Sequence, residues 1–113
     1  MRKGMHISNI GADAPGKQEM DPSIMAHADL LVTDSRAQTV ERGEFQHALR
    51  SGLLDVSAVH EIGEVISKPE LHRQGEGDDR LTIFDTSGVA VEDVQIARMV
   101  YLALRNAGVP SRL

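Results

Sequence analysis

The sequence predicts an α/β protein in which a parallel sheet lies between helices, an arrangement of three layers. Three short apolar segments carry this prediction, because stretches of helical periodicity separate each one from the next. We expect the strands at His6–Ile10, Leu30–Thr33 and Leu81–Asp85. Polar or glycine-containing turns follow all three segments. Residues that bind a ligand would therefore collect at the carboxyl edge of the sheet.

Two shorter helices are predicted early in the chain. Asp21-Pro22 has the composition of a helix start, with aspartate as the N-cap and proline in the first turn, and this helix should end near Ala28. A second helix is expected over Ala37–Leu49, with a possible break at Gly43-Glu44. Both would pack their apolar residues against the sheet.

Two further helices are predicted in the second half. Val56–Ile66 has apolar residues spaced for one helical face, and Val89–Ala107 is the longest helical pattern. The second half of the long helix is apolar nearly all round, so we expect a partner domain or a second subunit to cover it. Gly108-Val109-Pro110 should end it, while Arg73–Arg80 is expected to be an exposed loop.

Composition excludes several classes of protein. The 113 residues contain no cysteine, which rules out disulfides and thiolate zinc sites, and the net charge of −5 with scattered basic residues argues against a nucleic-acid surface. No apolar run is long enough to span a membrane, and Met1–Gly4 does not resemble a secretory signal. We expect a cytoplasmic protein.

No metal site is predicted. His60-Glu61 begins like the zinc motif H-E-x-x-H, but Glu64 stands where the second histidine would be needed. The acidic stretch Glu76–Asp79 lacks the alternation of a calcium loop, and the five histidines show no ligand spacing.

The segment His6–Glu19 carries the main candidate for chemistry. It runs from the first strand into a turn containing Gly11, whose backbone we expect to resist a Cβ. Asp13 and Lys17 lie in this loop at the carboxyl end of the strand. Asp13 could act as a general acid/base, or it could cap its own loop, and from the residues alone the capping role is the more common one.

The same segment, HISNIGADAPGKQEMDPSIM, resembles the G-A-D-x-P-G-K-x-E segment of the ornithine cyclodeaminase and mu-crystallin family. The agreement continues in the order of the family over nearly the whole chain. It includes Asp34-Ser35, Gly43-Glu44, Glu61-Ile62-Gly63-Glu64, the segment from Thr82 to Gly88, and Val91-Glu92-Asp93.

The resemblance implies a partial Rossmann-like fold. Residues 1–113 would form the C-terminal part of an NAD(P)-binding domain. No G-x-G-x-x-G motif is present, so the glycine-rich half, like the substrate and dimerisation domain, is expected outside this chain. The complete protein would use NAD or NADP, act on a small amino-acid or imino-acid substrate, and form a homo-oligomer.

The resemblance also assigns site residues. Asp13 would be the proton carrier, and Asn9, Gly11, Lys17 and Thr86 would contact the cofactor. Ser87 competes with Thr86 for the hydrogen bond to the nicotinamide carboxamide, and Asp93 is expected to be structural. The implied activity is amino-acid deamination or cyclisation, or imine or alanine dehydrogenase chemistry, by hydride transfer. The alternative is a non-enzymatic NADPH-binding or small-ligand-binding protein like mu-crystallin. This chain by itself is expected to be inactive.

Overall fold

A computed structural model describes residues 2–108 and shows four short strands joined by helices. The strands are β1 (His6–Asn9), β2 (Leu30–Thr33), β3 (Val59–Glu61) and β4 (Thr82–Asp85). The α-helices are α1 (Arg36–Thr39), α2 (Phe45–Arg50), α3 (Ile62–Ser67) and α4 (Ala90–Asn106). Three 3-10 helices span Pro22–His27, Val56–Ala58 and Pro69–Leu71.

The sheet has the strand order β1-β4-β2-β3, and all three neighbouring pairs are parallel. Its register aligns one row of apolar side chains across the four strands: Ile7, Ile83, Leu31 and Val59. This row packs against Met25, Phe45 and Ala48, which form the core on one face. The predicted parallel α/β fold is confirmed.

The prediction of a helix over Val56–Ile66 is wrong. A 3-10 turn, strand β3 and helix α3 occupy this stretch, so the sheet has one more strand than expected. Val59 is fully buried and pairs with Leu31, and its carbonyl accepts a hydrogen bond of 2.8 Å from the Arg36 side chain. Apolar residues of two different elements thus happened to match a helical period.

The two early helices follow the predictions. Asp21 caps the 3-10 helix by accepting a hydrogen bond of 2.9 Å from the amide of Ser23, and Met25 is buried in the core. The second predicted helix is divided into α1 and α2 near the expected break. Gly43 lies in that break with a φ of +78°, a conformation that favours glycine.

Helix α4 is exposed along its length, so no residue within 2–108 supplies the expected cover. Val94, Met99 and Tyr101 are 61%, 69% and 54% exposed. Gly108 follows the helix with a φ of +72°, as expected of a residue that ends a helix, while Val109 and Pro110 lie outside the described residues.

The second face of the sheet is only partly covered, by α3 and the 3-10 helix after it. A cavity of about 600 Å³ remains there, lined mainly by apolar side chains including Leu30, Val32 and Phe84. Among residues 2–108, no helix combines the length and the apolar character needed to cross a lipid bilayer.

Candidate functional site

The carboxyl ends of three strands meet at one edge of the sheet. Asp85 at the end of β4 pairs in register with Asn9 of β1 and Thr33 of β2, and all three residues are buried. The loops after these strands bring polar groups to the same edge. This is where open parallel sheets bind ligands.

A cavity of about 440 Å³ opens at this edge, within the usual size range of small-molecule sites. Two residues predicted from the sequence, Asp13 and Thr86, both line it. The remaining lining residues come from the first loop, the α1–α2 connection, the turn after β4 and the first turn of α4: Ile10, Arg42, Gly88, Val89, Ala90, Glu92 and Asp93.

Asp13 and Lys17 form an ion pair in which Nζ lies 2.5 Å from Oδ1. Both side chains are more than half exposed. The hydrogen bond from Lys17, supported by its positive charge, lowers the pKa of Asp13. Asp13 is therefore an ionised carboxylate at neutral pH, the form that accepts a proton.

Asn9, Gly11 and Lys17, the other residues assigned to the cofactor, lie beside the cavity and do not line it. Asn9 is buried, and its carbonyl accepts a hydrogen bond of 3.1 Å from the amide of Thr86. Among the described residues, the side-chain amide nitrogen of Asn9 has no hydrogen-bond partner. Asn9 thus fixes the start of the turn that carries Thr86.

Gly11 needs a different explanation from the one the sequence suggested. Its φ is not positive, so its backbone does not require glycine. A Cβ at this position would meet the carboxylate of Glu19, which is the end of an exposed, flexible side chain and can move aside. The expectation of an unusual backbone at Gly11 is wrong.

The structure separates the roles of Thr86 and Ser87. The carboxylate of Asp34 accepts hydrogen bonds from the amide and hydroxyl of buried Ser87, at 2.9 and 2.6 Å, and from the amide of Gly88 at 3.1 Å. Burial opposes ionisation of Asp34, but the hydrogen bonds from Ser87, Ser35 and Thr33 together outweigh it and lower the pKa of this carboxyl. Ser87 therefore fixes the turn, and Thr86 faces the cavity.

Three further acidic or amide side chains were not identified from the sequence. Asp85 accepts backbone hydrogen bonds from Glu44 and Phe45 at the start of α2. Burial raises the pKa of Asp85 to about 7 despite these hydrogen bonds, and the charge of Glu44 adds to the rise. Glu44 and Gln46 are buried and hydrogen-bond to the loop that carries Asp13. The signals in the sequence were the family matches at Gly43-Glu44 and at the segment from Thr82 to Gly88, which includes Asp85.

The H-E-x-x-E motif forms a hydrogen-bonded network with Arg36. The carboxylate of Glu64 accepts a hydrogen bond from Arg36 at 2.7 Å and contacts Nδ1 of His60 at 3.0 Å. Glu61 accepts a hydrogen bond of 2.8 Å from the amide of Arg36. These contacts join the start of α1 to β3 and α3, away from the cavity.

Comparison with known proteins places this geometry in one family. The model of the ornithine cyclodeaminase/mu-crystallin family matches residues 1–108. The chain therefore belongs to the ornithine cyclodeaminase/mu-crystallin family.

Two curated relatives show which part of a family member is present. The iminosuccinate reductase of Paracoccus denitrificans is 40% identical over 104 residues, covering 92% of this chain and 31% of the relative. The alanine dehydrogenase of Archaeoglobus fulgidus is 40% identical over 114 residues, covering 100% of this chain and 34% of the relative. The chain thus spans about a third of the length of these relatives.

Solved structures show the same fold. The Paracoccus denitrificans iminosuccinate reductase in complex with NAD⁺ aligns with a TM-score of 0.80 and 39% identity, over 96% of this chain and 32% of that one. An archaeal alanine dehydrogenase dimer with bound NAD aligns with a TM-score of 0.78 and 41% identity, over 97% of this chain and 34% of that one. The α/β unit is therefore a Rossmann-like one.

Proposed function

We propose that this chain is the C-terminal part of an NAD(P)-binding domain and that the complete protein transfers hydride between the nicotinamide and a small amino or imino acid. The observation that carries the proposal is the meeting of Asp13 and Thr86 at one cavity on the carboxyl edge of the sheet. The names of the two relatives, an iminosuccinate reductase and an alanine dehydrogenase, support this reaction class.

The residues at this edge fit the nicotinamide end of the cofactor. The cavity is large enough for a nicotinamide ring, and Thr86 offers a hydroxyl to the carboxamide. Lys17 would supply a cation beside it, while Asn9 and Gly11 would shape the backbone near the ring. When bound, the nicotinamide accepts or donates the hydride at the α-carbon of the substrate.

Asp13 would carry the proton of this reaction. During oxidation of an amino acid, hydride leaves the α-carbon, and the carboxylate of Asp13 takes a proton from the substrate nitrogen to give the imine. In the reductive direction the protonated carboxyl returns that proton. The lowered pKa favours the accepting form in the absence of substrate. Cyclisation with loss of ammonia, the lyase reaction of the cyclodeaminases, would use the same proton carrier.

We further propose that the complete protein is a cytoplasmic homo-oligomer. The archaeal alanine dehydrogenase that shares this fold is a dimer. The apolar surface of α4 supplies contact area in this chain.

The alternative is a protein that binds NADPH or a small ligand without turnover, like mu-crystallin. The ion pair between Asp13 and Lys17 favours it, because a carboxylate held by a lysine could serve only to fix the loop. The two functions differ in what the complete protein does once the cofactor is bound: an enzyme would turn over a substrate, and a binding protein would not.

The test is a chimeric enzyme in which this chain replaces the matched third of the Paracoccus denitrificans iminosuccinate reductase. Oxidation of NADH and NADPH would be followed with iminosuccinate and other small imino acids, and cofactor binding would be measured by calorimetry. Turnover supports the proposed reaction. Cofactor binding without turnover on any of these substrates would favour the binding protein, provided that the parent reductase is active in the same assay.

A further inference from the structure

We propose that Glu44 and Gln46 are positioning residues that fix the loop of residues 10–20, here called the Asp13 loop, so that Asp13 lies at the cavity. The inference rests on the proposed proton-carrying role of Asp13. It explains why two polar side chains are buried beside Phe45, in a segment that otherwise serves the core.

Glu44 holds the far end of the Asp13 loop. Its side chain is only 1% exposed, and its two carboxylate oxygens accept hydrogen bonds from the amides of Glu19, at 2.5 Å, and Met20, at 3.0 Å. Moving the loop away from this edge of the sheet would break both hydrogen bonds.

Gln46 holds the middle of the loop by donating and accepting at once. Its Oε1 accepts from the amide of Gly16 at 2.9 Å. Its Nε2 donates most closely to the carbonyl of Gly43 in its own segment, at 2.8 Å, and makes longer contacts to the loop carbonyls of Lys17, at 3.3 Å, and Ala14, at 3.4 Å. Only a side-chain amide offers both functions in one group of this shape. The Lys17 carbonyl also contacts Nε2 of His47 at 2.8 Å.

Asp13 lies between two of the residues fixed in this way. The carbonyl of Ala12 accepts a hydrogen bond of 2.6 Å from the amide of Gly43, and the carbonyl of Ala14 accepts the one from Gln46. Ala12 is fully buried. The backbone on both sides of Asp13 is therefore tied to residues 43–46, while its own side chain remains exposed.

Residues 43–46 are in turn anchored to the sheet. The Oδ2 atom of Asp85 accepts hydrogen bonds from the amides of Glu44, at 2.8 Å, and Phe45, at 3.4 Å. Phe45 is fully buried in the core. A continuous series of contacts thus leads from β4 through α2 to the Asp13 loop, which has no regular secondary structure of its own. Proton transfer needs such fixed geometry, because small misplacements of a reacting group are costly.

The experiment measures amide hydrogen exchange by NMR in the 113-residue chain and its variants. Glu44→Ala should speed exchange at Glu19 and Met20, and Gln46→Ala at Gly16, by about tenfold, the loss of one hydrogen bond. Glu41→Ala is the matched control, because Glu41 is exposed in the same segment. The amides of β2 and β4 should keep their rates in every variant.

A second measurement reports on Asp13 itself. Loosening the loop by Gln46→Ala should separate Asp13 from Lys17, so the pKa of Asp13 measured by carboxyl NMR should rise toward 3.8. In the chimeric enzyme the same variant should lower kcat by roughly 10- to 100-fold while KM for the cofactor stays within a few-fold.

Unchanged exchange at Gly16, Glu19 and Met20 would overturn the inference. If Glu44→Ala fails to fold, exchange in Gln46→Ala tests the inference, since this variant removes no charge. Exchange that speeds up as much in β2 and β4 as in the loop would also overturn the inference. A different result would contradict only the proposed function. If Gln46→Ala speeds exchange in the Asp13 loop while Asp13→Asn keeps full turnover, Glu44 and Gln46 still fix the loop, but Asp13 does not carry the proton.

Discussion

The carboxylate of Asp13 and the ammonium group of Lys17 lie in direct contact, 2.5 Å apart, four residues from each other in an exposed loop. The sequence suggested separate roles for the two, a proton carrier and a cation near the cofactor. In this structure Lys17 lowers the pKa of Asp13. The contact involves only Oδ1 of Asp13, so a proton transferred to this oxygen would have to displace Lys17.

Replacing Lys17 should therefore change the titration of Asp13. In Lys17→Met the hydrogen bond and the positive charge are lost, so the pKa of Asp13 should rise toward its ordinary value of 3.8. Carboxyl NMR of the 113-residue chain measures this value directly. Lys3→Met, which breaks the exposed pair with Asp79, is the control. A pKa of Asp13 that is equal in wild type and Lys17→Met would show that the pair does not form in solution.

Asp85 should make stability depend on pH. Its pKa is raised to about 7 by burial, so the native state holds a proton that the unfolded chain releases above 3.8. The contribution of Asp85 to the free energy of unfolding is complete below 3.8 and falls as pH rises to about 7. Asp85→Asn keeps an acceptor for the amide of Glu44 but cannot ionise.

The measurement compares urea unfolding of wild type and Asp85→Asn between pH 5 and pH 8. The stability of the variant relative to wild type should increase with pH up to about 7 and then level off, because only wild type loses stability through this group. Asp55→Asn, an exposed cap of the second 3-10 helix, serves as the control. A difference between Asp85→Asn and wild type that is constant with pH would contradict the raised pKa.

The 113-residue chain should bind a dinucleotide only weakly. The sequence contains no G-x-G-x-x-G motif, and with it the usual anion site for the pyrophosphate at a helix N-terminus is missing. Calorimetric titration with NAD, NADH and NADPH tests this, and the chimeric enzyme is the positive control. A micromolar or tighter dissociation constant, about −8 kcal/mol or stronger, would contradict the prediction.

The same chain should self-associate through α4. Its apolar side chains, including Val94, Met99 and Tyr101, are more than half exposed, and apolar surface of this kind favours association. Light scattering should show a mass that rises with protein concentration, and Met99→Lys should reduce the rise. Gln95→Lys adds the same charge to α4 at a polar position and should matter less. A monomeric wild type at high concentration would contradict the prediction.

Much of the sheet could be predicted because β2 is a continuous apolar run and β1 alternates apolar and polar residues. β2 begins and ends where the sequence indicated, at Leu30 and Thr33, since parallel strands buried on both faces leave little choice of residue. β3 could not be found in this way. It has three residues, and Val59 is its only fully buried side chain. Together with the apolar residues of α3, Val59 has the spacing of a single helix, so the sequence predicted a helix here.

The candidate site could be predicted only for residues whose position follows from a neighbouring strand. Asp13 lies in the loop after β1 and Thr86 directly follows β4, so their shared edge follows from the fold. Glu44 contacts an amide 25 positions away, and Asp34 contacts one 53 positions away. The sequence does not show which buried polar groups will meet, because such pairs depend on how the sheet brings loops together. That Ser87 rather than Thr86 is held by Asp34 became clear only from those contacts.

The most direct test of the account is the turnover of Asp13→Asn in the chimeric enzyme. Asparagine keeps the size of the side chain and can still cap the loop, but it cannot carry the proton. General acid/base catalysis typically contributes about 10²- to 10⁴-fold, and we expect turnover to fall by a factor in this range. Cofactor affinity should change by no more than a few-fold, and the melting temperature should stay near that of wild type.

Asp93→Asn provides the matched control, because Asp93 lines the same cavity and is expected to be structural. Its turnover should remain near that of wild type. A large loss of turnover for Asp13→Asn alone, with cofactor binding and folding intact, is the result expected if Asp13 carries the proton. Near-normal turnover of a folded Asp13→Asn enzyme would contradict it and leave Asp13 as a residue that only shapes its loop.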